Sequence, residues 1–166
     1  AAAGALGAEP SEIVQGLGSF EPAGMRLQVQ EIGEVVVIND AYNANPASMA
    51  AGLEVLILKA PEGRSRRVAV LGDMLELGRQ SEELHRQAGR KVIECGVDLL
   101  ITSGKMAEFI AAGAVEAGMG RDAVKSFGND DEDFAKMAVL LRAGDVVLLK
   151  GSRAMRMERL VVSGFL

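Results

Sequence analysis

Residues 35–46 read Val-Val-Val-Ile-Asn-Asp-Ala-Tyr-Asn-Ala-Asn-Pro. The four apolar residues at the start indicate a buried strand, and the strand ends at a cluster of short polar side chains. Pro46 suits the first position of a helix, and Asn45 suits the cap that precedes it. Strand, polar loop and helix N-terminus in this order are typical of open α/β sheets, in which ligands bind beyond the carboxyl ends of the strands.

Two further apolar runs lead into polar loops. Residues 68–71 precede a loop that reads Gly-Asp-Met-Leu-Glu at 72–76, and residues 146–149 precede Lys-Gly-Ser-Arg at 150–153. Parallel strands present their carboxyl ends at the same edge of a sheet, so the three loops together predict one ligand-binding cleft.

The rest of the chain alternates between strand and helix patterns. Strands are predicted at 26–32, 35–39, 67–71, 97–101, 124–127 and 145–149, and helices near 46–60, 81–95 and 105–117. Two later helices are predicted, one opened by Asn129 and Glu132 as a capping box and one that carries Met157. Continuous apolar strands separated by helices predict an α/β fold with a mostly parallel sheet covered on both faces. The turn at 33–34 adds one antiparallel edge strand.

Composition excludes several classes of protein. The 166 residues suit one domain, and a net charge of −5 argues against binding to nucleic acid or to an anionic membrane. No apolar run approaches the roughly 20 residues that a membrane span needs, so no membrane insertion is expected. The single cysteine, Cys95, excludes an internal disulfide, and a cytoplasmic location fits best. The absence of an initiator Met indicates a domain of a longer protein or a processed chain.

Several common catalytic motifs are absent. The sequence contains neither a G-x-x-x-x-G-K-[ST] phosphate loop nor a G-x-G-x-x-G dinucleotide fingerprint. Its one histidine, His85, cannot form a metal cluster, and we expect it to have a structural role. A complete stand-alone nucleotide enzyme is therefore not expected.

The 39–45 loop is rich in groups suited to a nucleotide. Asp40 at a strand end can bind a pair of ribose hydroxyls, and Tyr42 offers a stacking face with a hydroxyl group. Asn43 can both donate and accept hydrogen bonds. The alternative is that Asp40 and Asn45 make only turn and cap hydrogen bonds.

The other two loops carry charge. Arg153 can contact a carboxylate or phosphate through two hydrogen bonds, and Lys150 can act as a point charge. The alternative for both is a solvated loop beside a helix. Asp73 and Glu76 make the remaining loop acidic, which could hold a substrate ammonium group, although a turn that leads into a helix also explains them.

Together these segments resemble the Mur ligases, and within that family the members that add D-alanyl-D-alanine. The segments are Asp-Ala-Tyr-Asn-Ala-Asn-Pro-Ala-Ser-Met at 40–49, Ala-Val-Leu-Gly-Asp-Met-Leu-Glu-Leu-Gly at 69–78 and Lys-Gly-Ser-Arg-Ala-Met-Arg-Met-Glu at 150–158. Ser-Glu-Glu-Leu-His at 81–85 is also similar. The motifs occur in the family's order, and the resemblance reaches from about residue 26 to the C-terminus.

The resemblance implies a Rossmann-like, three-layer C-terminal domain at 23–166, preceded at 1–22 by the tail of a central, ATP-binding domain. It implies a reaction in which ATP phosphorylates the terminal carboxylate of UDP-N-acetylmuramoyl-tripeptide. The amine of D-alanyl-D-alanine then attacks the acyl phosphate, in the synthesis of a peptidoglycan precursor. The implied partners are these two substrates and the central and N-terminal domains of the same parent chain. Mg²⁺ is expected to be bound mainly by the central domain.

The resemblance also implies roles for individual residues. Arg26 would contact the ATP phosphates, and Arg26 and Lys150 would be catalytic by stabilising charge on the transferred group. The residues expected on the nucleotide side are Arg26, Asp40, Tyr42, Asn43 and Asn45. The residues expected on the substrate side are Asp73, Glu76, Ser152 and Arg153. No metal ligand is expected in this chain.

Other interpretations remain open at this point. The chain could be the equivalent domain of a relative that adds another amino acid or acts on folate-like glutamates, although the segments at 72–78 and 150–158 argue against this. It could also be a stand-alone Rossmann-like binding module. Because the phosphate loop of the central domain is missing, we expect the chain to be inactive in ligation by itself.

Overall fold

The computed structural model describes residues 7–18, 24–60, 63 and 65–162. The predicted domain boundary at 22–23 lies outside the described residues. The strands are β1 Gln28–Ile32, β2 Val35–Asp40, β3 Arg67–Gly72, β4 Leu99–Ser103, β5 Val124–Phe127 and β6 Val146–Lys150. The α-helices are α1 Pro10–Gly18, α2 Pro46–Lys59, α3 Ser81–Glu94, α4 Ala107–Glu116, α5 Asp131–Ala138 and α6 Arg159–Val162.

The six strands form one sheet in the order β1-β2-β6-β3-β4-β5. β1 pairs antiparallel with β2, and the other four pairings are parallel. The predicted mostly parallel sheet with one antiparallel edge strand is therefore confirmed. β6, the last of the described strands in chain order, lies between β2 and β3. The three polar loops thus follow three neighbouring strands in the middle of the sheet.

Helices cover both faces of the sheet, as the apolar strands predict. One apolar cluster joins the sheet to α2, α3 and α4, and the other joins it to α5 and α6. Right-handed crossovers explain this division. The chain moves in one direction across the sheet from β2 to β5, then returns from β5 to β6, so α5 packs on the opposite face.

Helices α3 and α4 make an unusually close contact through two glycines. A Cβ atom built on Gly89 would lie 2.1 Å from the Ile110 carbonyl oxygen, and one built on Gly113 would lie 2.3 Å from the Arg86 carbonyl oxygen. Only a residue without a side chain lets the two backbones approach this closely.

Some predicted boundaries are wrong. Asp130, with Asp133, caps α5 in place of the predicted Asn129 and Glu132, because Asp130 accepts a hydrogen bond from the Asp133 amide. β1 begins at residue 28, since Met25 and Leu27 have the left-handed φ angles of 61° and 50°. The last predicted helix is a turn of 3₁₀ helix at 153–155 followed by the short α6. Among the described helices, none combines the length and apolar character that crossing a bilayer requires.

Candidate functional site

A pocket of about 500 Å³ lies at the carboxyl ends of β2 and β6, and we call it the first pocket. Its lining includes every residue that the sequence analysis placed on the nucleotide side or named as catalytic: Arg26, Asp40, Tyr42, Asn43, Asn45 and Lys150. The fold brings them together because β2 and β6 are neighbours in the sheet, although residues 40 and 150 are far apart in the chain.

An ion pair forms the floor of the first pocket. Lys150 Nζ lies 2.5 Å from Asp40 Oδ2 and 2.9 Å from the Asn43 carbonyl oxygen. The lysine side chain is only 1% exposed, whereas the Asp40 side chain is 13% exposed. A buried ammonium group is stable only when it is paired and hydrogen-bonded, and the loop after β2 supplies those partners. The lysine therefore fixes this loop to the sheet.

The segment before β1 forms one wall of the first pocket. The Leu27 amide donates to Asp40 Oδ1 at 3.1 Å, and the Tyr42 amide donates to the Met25 carbonyl oxygen at 3.0 Å. Between these contacts, the Arg26 guanidinium stacks 4.3 Å from the centre of the Tyr42 ring. The left-handed backbone of Met25 and Leu27 is unfavourable for residues with side chains, so these contacts hold the segment in place.

The two asparagines of the loop have different local roles. Asn45 caps α2: its side chain accepts from the Ser48 amide at 2.9 Å, while the Ser48 hydroxyl accepts from the Asn45 amide. The predicted N-cap and the predicted position of Pro46 are both confirmed. Asn43 is exposed and lines the pocket, and its side-chain oxygen accepts from the Ala44 amide, so its amide group can donate to a ligand.

A second pocket of about 670 Å³ lies at the carboxyl ends of β3, β4 and β5. Its lining carries both signs of charge, from Asp73, Lys105, Glu108, Asp133 and Lys136. One cleft was predicted from the sequence, but this edge of the sheet has two pockets side by side.

The wall between the two pockets consists of the loops after β3 and β6. Both Gly72 and Gly151 pack against the Met157 side chain. A Cβ atom added to Gly72 would lie 2.8 Å from Met157 Sδ, and one added to Gly151 would lie 2.7 Å from Met157 Cγ. The Ser152 amide donates to the Asp73 carbonyl oxygen at 3.0 Å, and Ser152 Oγ accepts from the Leu75 amide at 2.8 Å. These contacts close the space that a single cleft would need.

Asp73 is 8% exposed and reaches from the β3 loop to the start of α4. Its Oδ1 atom accepts a hydrogen bond from the Ala107 amide at 2.7 Å. Burial raises the pKa of the Asp73 carboxyl above its ordinary value of 3.8, and the hydrogen bond from the Ala107 amide offsets part of that rise. Asp73 thus places a desolvated carboxyl group at the edge of the second pocket.

We expect Asp73→Asn to leave the thermal stability of the 166-residue chain unchanged or higher at pH 7. A carboxyl whose pKa is raised on folding contributes stability below its unfolded pKa and loses it as pH rises through the folded pKa. The amide keeps the acceptor for Ala107 but has no charge to desolvate. Any excess of the variant's melting temperature over that of the unsubstituted chain should therefore be larger at pH 7 than near pH 4. A lower melting temperature at pH 7 with no pH dependence of the difference would contradict this.

The other residues predicted on the substrate side lie elsewhere. Ser152 is buried in the wall between the pockets. Arg153 is about half exposed and pairs with Glu158 at 2.5 Å. Glu76 is exposed and has a left-handed φ of 64°. Of the four, Asp73 is the one whose side chain lines the second pocket.

His85 is fully buried beneath the loop after β3. Its Nδ1 atom lies 2.6 Å from the Ser81 carbonyl oxygen, and its Nε2 atom accepts from the Met74 amide at 3.0 Å. Both contacts are satisfied by one neutral tautomer with the proton on Nδ1. This position fits the structural role that the sequence predicted. Among the described residues, no group of three or more His, Cys, Asp or Glu side chains is arranged to hold a metal ion.

Residues 25–153 match the family model described as Mur ligase, glutamate ligase domain. The chain belongs to the Mur ligase family. Its fold is that of the family's C-terminal domain, with a Rossmann-like sheet. The matched range includes the whole lining of the first pocket and, apart from Met155, that of the second, and it begins at the left-handed segment beside the first pocket.

Curated Mur ligases resemble this chain over most of its length. It is 35% identical over 162 residues to UDP-N-acetylmuramoyl-tripeptide–D-alanyl-D-alanine ligase of Bacillus subtilis, which covers 96% of this chain and 35% of that relative. The same-named ligase of Escherichia coli is 32% identical over 159 residues, which covers 94% of this chain and 33% of the relative. The chain thus spans about a third of the length of the curated relatives that it matches.

Solved Mur ligase structures share the fold. MurF from Acinetobacter baumannii superimposes with a TM-score of 0.82 at 30% identity, covering 98% of this chain and 34% of that one. MurF from Thermotoga maritima, solved in complex with ADP, superimposes with a TM-score of 0.69 at 30% identity, covering 90% of this chain and 34% of that one.

Most of the second pocket of this Mur ligase domain was not predicted from the sequence. Lys105 and Glu108 follow β4, and Asp133 and Lys136 lie on α5. A signal for the first pair was present, because Gly104 and Lys105 follow an apolar strand as the other polar loops do. The prediction of that strand at 97–101, two residues too early, concealed it.

Proposed function

We propose that this chain is the C-terminal part of an ATP-dependent ligase that joins D-alanyl-D-alanine to UDP-N-acetylmuramoyl-tripeptide in peptidoglycan precursor synthesis. The observation that carries the proposal is the first pocket, because its lining unites the residues of the Asp-Ala-Tyr-Asn-Ala-Asn motif with Arg26 and Lys150. The names of the relatives, which cover most of this chain, support the same reaction.

The first pocket would contribute the nucleotide side of the active site. A carboxylate that is fixed but partly exposed, Asp40, suits a pair of ribose hydroxyls. The Tyr42 ring, 44% exposed, offers a surface for stacking. Arg26 would meet the phosphates, and the bound ADP in the Thermotoga maritima relative supports a nucleotide site in this family. We assign the binding of Mg²⁺ mainly to the central domain of the parent chain.

The second pocket would receive the incoming dipeptide. A zwitterion has an ammonium group at one end and a carboxylate at the other, and this pocket offers both kinds of partner. Asp73 and Glu108 are suited to the ammonium group, and Lys105 and Lys136 to the carboxylate. Ser152 would act from the wall between the pockets, where it fixes the loop after β3, and Glu76 and Arg153 would act from the exposed rim.

Two half-sites on separate domains suit this chemistry. An acyl phosphate reacts with water, so it must form where water is excluded and the attacking amine is aligned. A C-terminal domain that closes on a central domain would meet both needs in one movement. We therefore propose that the central and N-terminal domains of the parent chain are the partners, and that the enzyme works in the cytoplasm.

Ligation by the full-length parent enzyme tests the proposal. The enzyme would receive ATP, Mg²⁺ and UDP-N-acetylmuramoyl-tripeptide, with either D-alanyl-D-alanine or single amino acids, and phosphate release would be followed. We expect the full-length enzyme to release phosphate when D-alanyl-D-alanine is the acceptor and not when a single amino acid is. The 166-residue chain should release no phosphate under the same conditions. Release with a single amino acid would assign the chain to another branch of the family. No release with any acceptor would overturn the proposal in favour of a binding module.

A further inference from the structure

We propose that Lys150 is a positioning residue that acts through Asp40, and that it does not contact the transferred phosphoryl group. The inference rests on the proposed function, and it reassigns a residue that the sequence analysis named as catalytic. It follows from where the ammonium group lies and from which atoms surround it.

The ammonium group is enclosed by acceptors from a single loop. Asp40 Oδ2, the Asn43 carbonyl oxygen and, at 3.5 Å, the Asp40 carbonyl oxygen surround Lys150 Nζ. An ammonium group has three protons to donate, so these acceptors account for its whole capacity. With 1% of the side chain exposed, a phosphate could reach this nitrogen only after the loop had moved away.

The path of the lysine stem explains why the group is held so firmly. Lys150 and Asp40 are directly paired residues of the parallel β2–β6 ladder. The aliphatic part of the Lys150 side chain packs against Gly52 of α2. A Cβ atom added to Gly52 would lie 3.3 Å from Lys150 Cδ. Strand, helix and ion pair together leave the side chain little freedom to turn outward.

Asp40 transmits the effect to the pocket. One carboxylate oxygen is bound by Lys150, and the other accepts from the Leu27 amide beside Arg26. Each carboxylate oxygen has a second lone pair, so the fixed carboxylate can still accept a ligand hydroxyl. Loss of the lysine would free Asp40 to rotate and would weaken one of the two hydrogen bonds that hold the 25–27 segment to residues 40–42, the bond from the Leu27 amide.

Ser152, two residues further along, makes the opposite connection. It binds the loop after β3, whereas Lys150 binds the loop after β2, and Gly151 lies between them. The segment 150–152 thus fixes one loop of each pocket. The positions of the two loops therefore explain why Lys150 and Ser152 flank Gly151, and neither side chain needs to take part in a chemical step.

The test compares Lys150→Met, Asp40→Asn and the double variant in the full-length ligase. For a positioning role, we expect Lys150→Met to raise the KM for ATP about tenfold and to change kcat by less than about twofold. The double variant should be no worse than the more impaired single variant, because Lys150 has nothing left to position. A fall in kcat of about a hundredfold on Lys150→Met, whether or not Asp40→Asn is also present, would overturn the proposal in favour of direct contact with the phosphoryl group.

Hydrogen exchange tests the positioning role of Lys150 independently of catalysis. In the 166-residue chain, Lys150→Met should accelerate hydrogen exchange at the Leu27 amide about tenfold, while Lys59→Met, an exposed lysine at the end of α2, should not. Unchanged exchange at Leu27 would contradict the proposal even if the ligase proved inactive. If Lys150→Met does not fold, exchange at the Leu27 amide is measured in the double variant, which replaces the buried pair with neutral groups of similar size.

Discussion

Replacing Arg26 with alanine in the full-length ligase should lower kcat/KM for ATP-dependent ligation about a hundredfold, a change of about 2.7 kcal/mol. Arg26 is exposed, lines the first pocket and stacks on Tyr42, so its guanidinium faces the ligand space. A cation held at this position would stabilise the negative charge that develops during phosphoryl transfer. Because the Tyr42 ring already holds the guanidinium, it would not have to be reoriented during the reaction. Steady-state kinetics with ATP varied would measure the effect.

Three further variants separate charge from position. Arg26→Lys keeps the charge but loses the planar group, so we expect an intermediate loss. Tyr42→Phe keeps the stacking surface and should remain close to wild type, whereas Tyr42→Leu should reproduce part of the Arg26→Ala defect. Arg121→Ala removes an exposed arginine at the far edge of the sheet and serves as the control. Equal rates for Arg26→Ala and Arg121→Ala would show that Arg26 has no part in the reaction.

Gly113→Ala should be among the most destabilising single substitutions in the chain, at about 3 kcal/mol. The added methyl group would lie 2.3 Å from the Arg86 carbonyl oxygen and 2.8 Å from the Arg86 Cα atom. Both are backbone atoms, so the overlap can be relieved only if α3 and α4 separate. Separation would open the apolar contact between these helices and the sheet. Gly89→Ala should behave similarly, and urea unfolding of the 166-residue chain would measure both.

A glycine in a different setting provides the matched control. Gly16 lies in helix α1, and an added Cβ there would meet no atom of the described residues within 4 Å. Alanine is favoured over glycine within a helix by about 1 kcal/mol, so Gly16→Ala should leave the free energy of unfolding unchanged or slightly higher. Similar unfolding curves for Gly16→Ala and Gly113→Ala would contradict the close packing of α3 against α4.

Much of the sheet could be predicted from the sequence because β2, β3 and β6 each contain an unbroken run of four apolar residues. Burial on both faces requires such runs, and 35–38, 68–71 and 146–149 all lie in central strands. The position of Asp40 and Tyr42 at a strand end and the cap at Asn45 follow from local signals, and the structure has both where they were expected. Local chemistry was sufficient for these features.

The features that the sequence did not reveal depend on contacts between distant residues. Burial of Lys150 follows from the insertion of β6 between β2 and β3, which no local pattern encodes. β4 begins two residues later than predicted, after Asp98. There the Asp98 amide donates to the Arg67 carbonyl oxygen at 2.9 Å, and the Arg67 amide donates to the Asp98 side chain at 2.7 Å, so a carboxylate takes the place of a backbone acceptor. The second pocket combines residues from the loops after β3 and β4 with residues of α4, β5 and α5, so its charges could be assembled only once the fold was known.

Hydrogen exchange of the full-length ligase, measured with and without a non-hydrolysable ATP analogue, shows whether the first pocket is the nucleotide side of the active site. If it is, we expect slower exchange at 25–27 and 40–45 when the analogue binds, with exchange at 104–108 and 126–133 unchanged until D-alanyl-D-alanine is added. Protection by the analogue around the second pocket, or none at 40–45, would contradict this assignment.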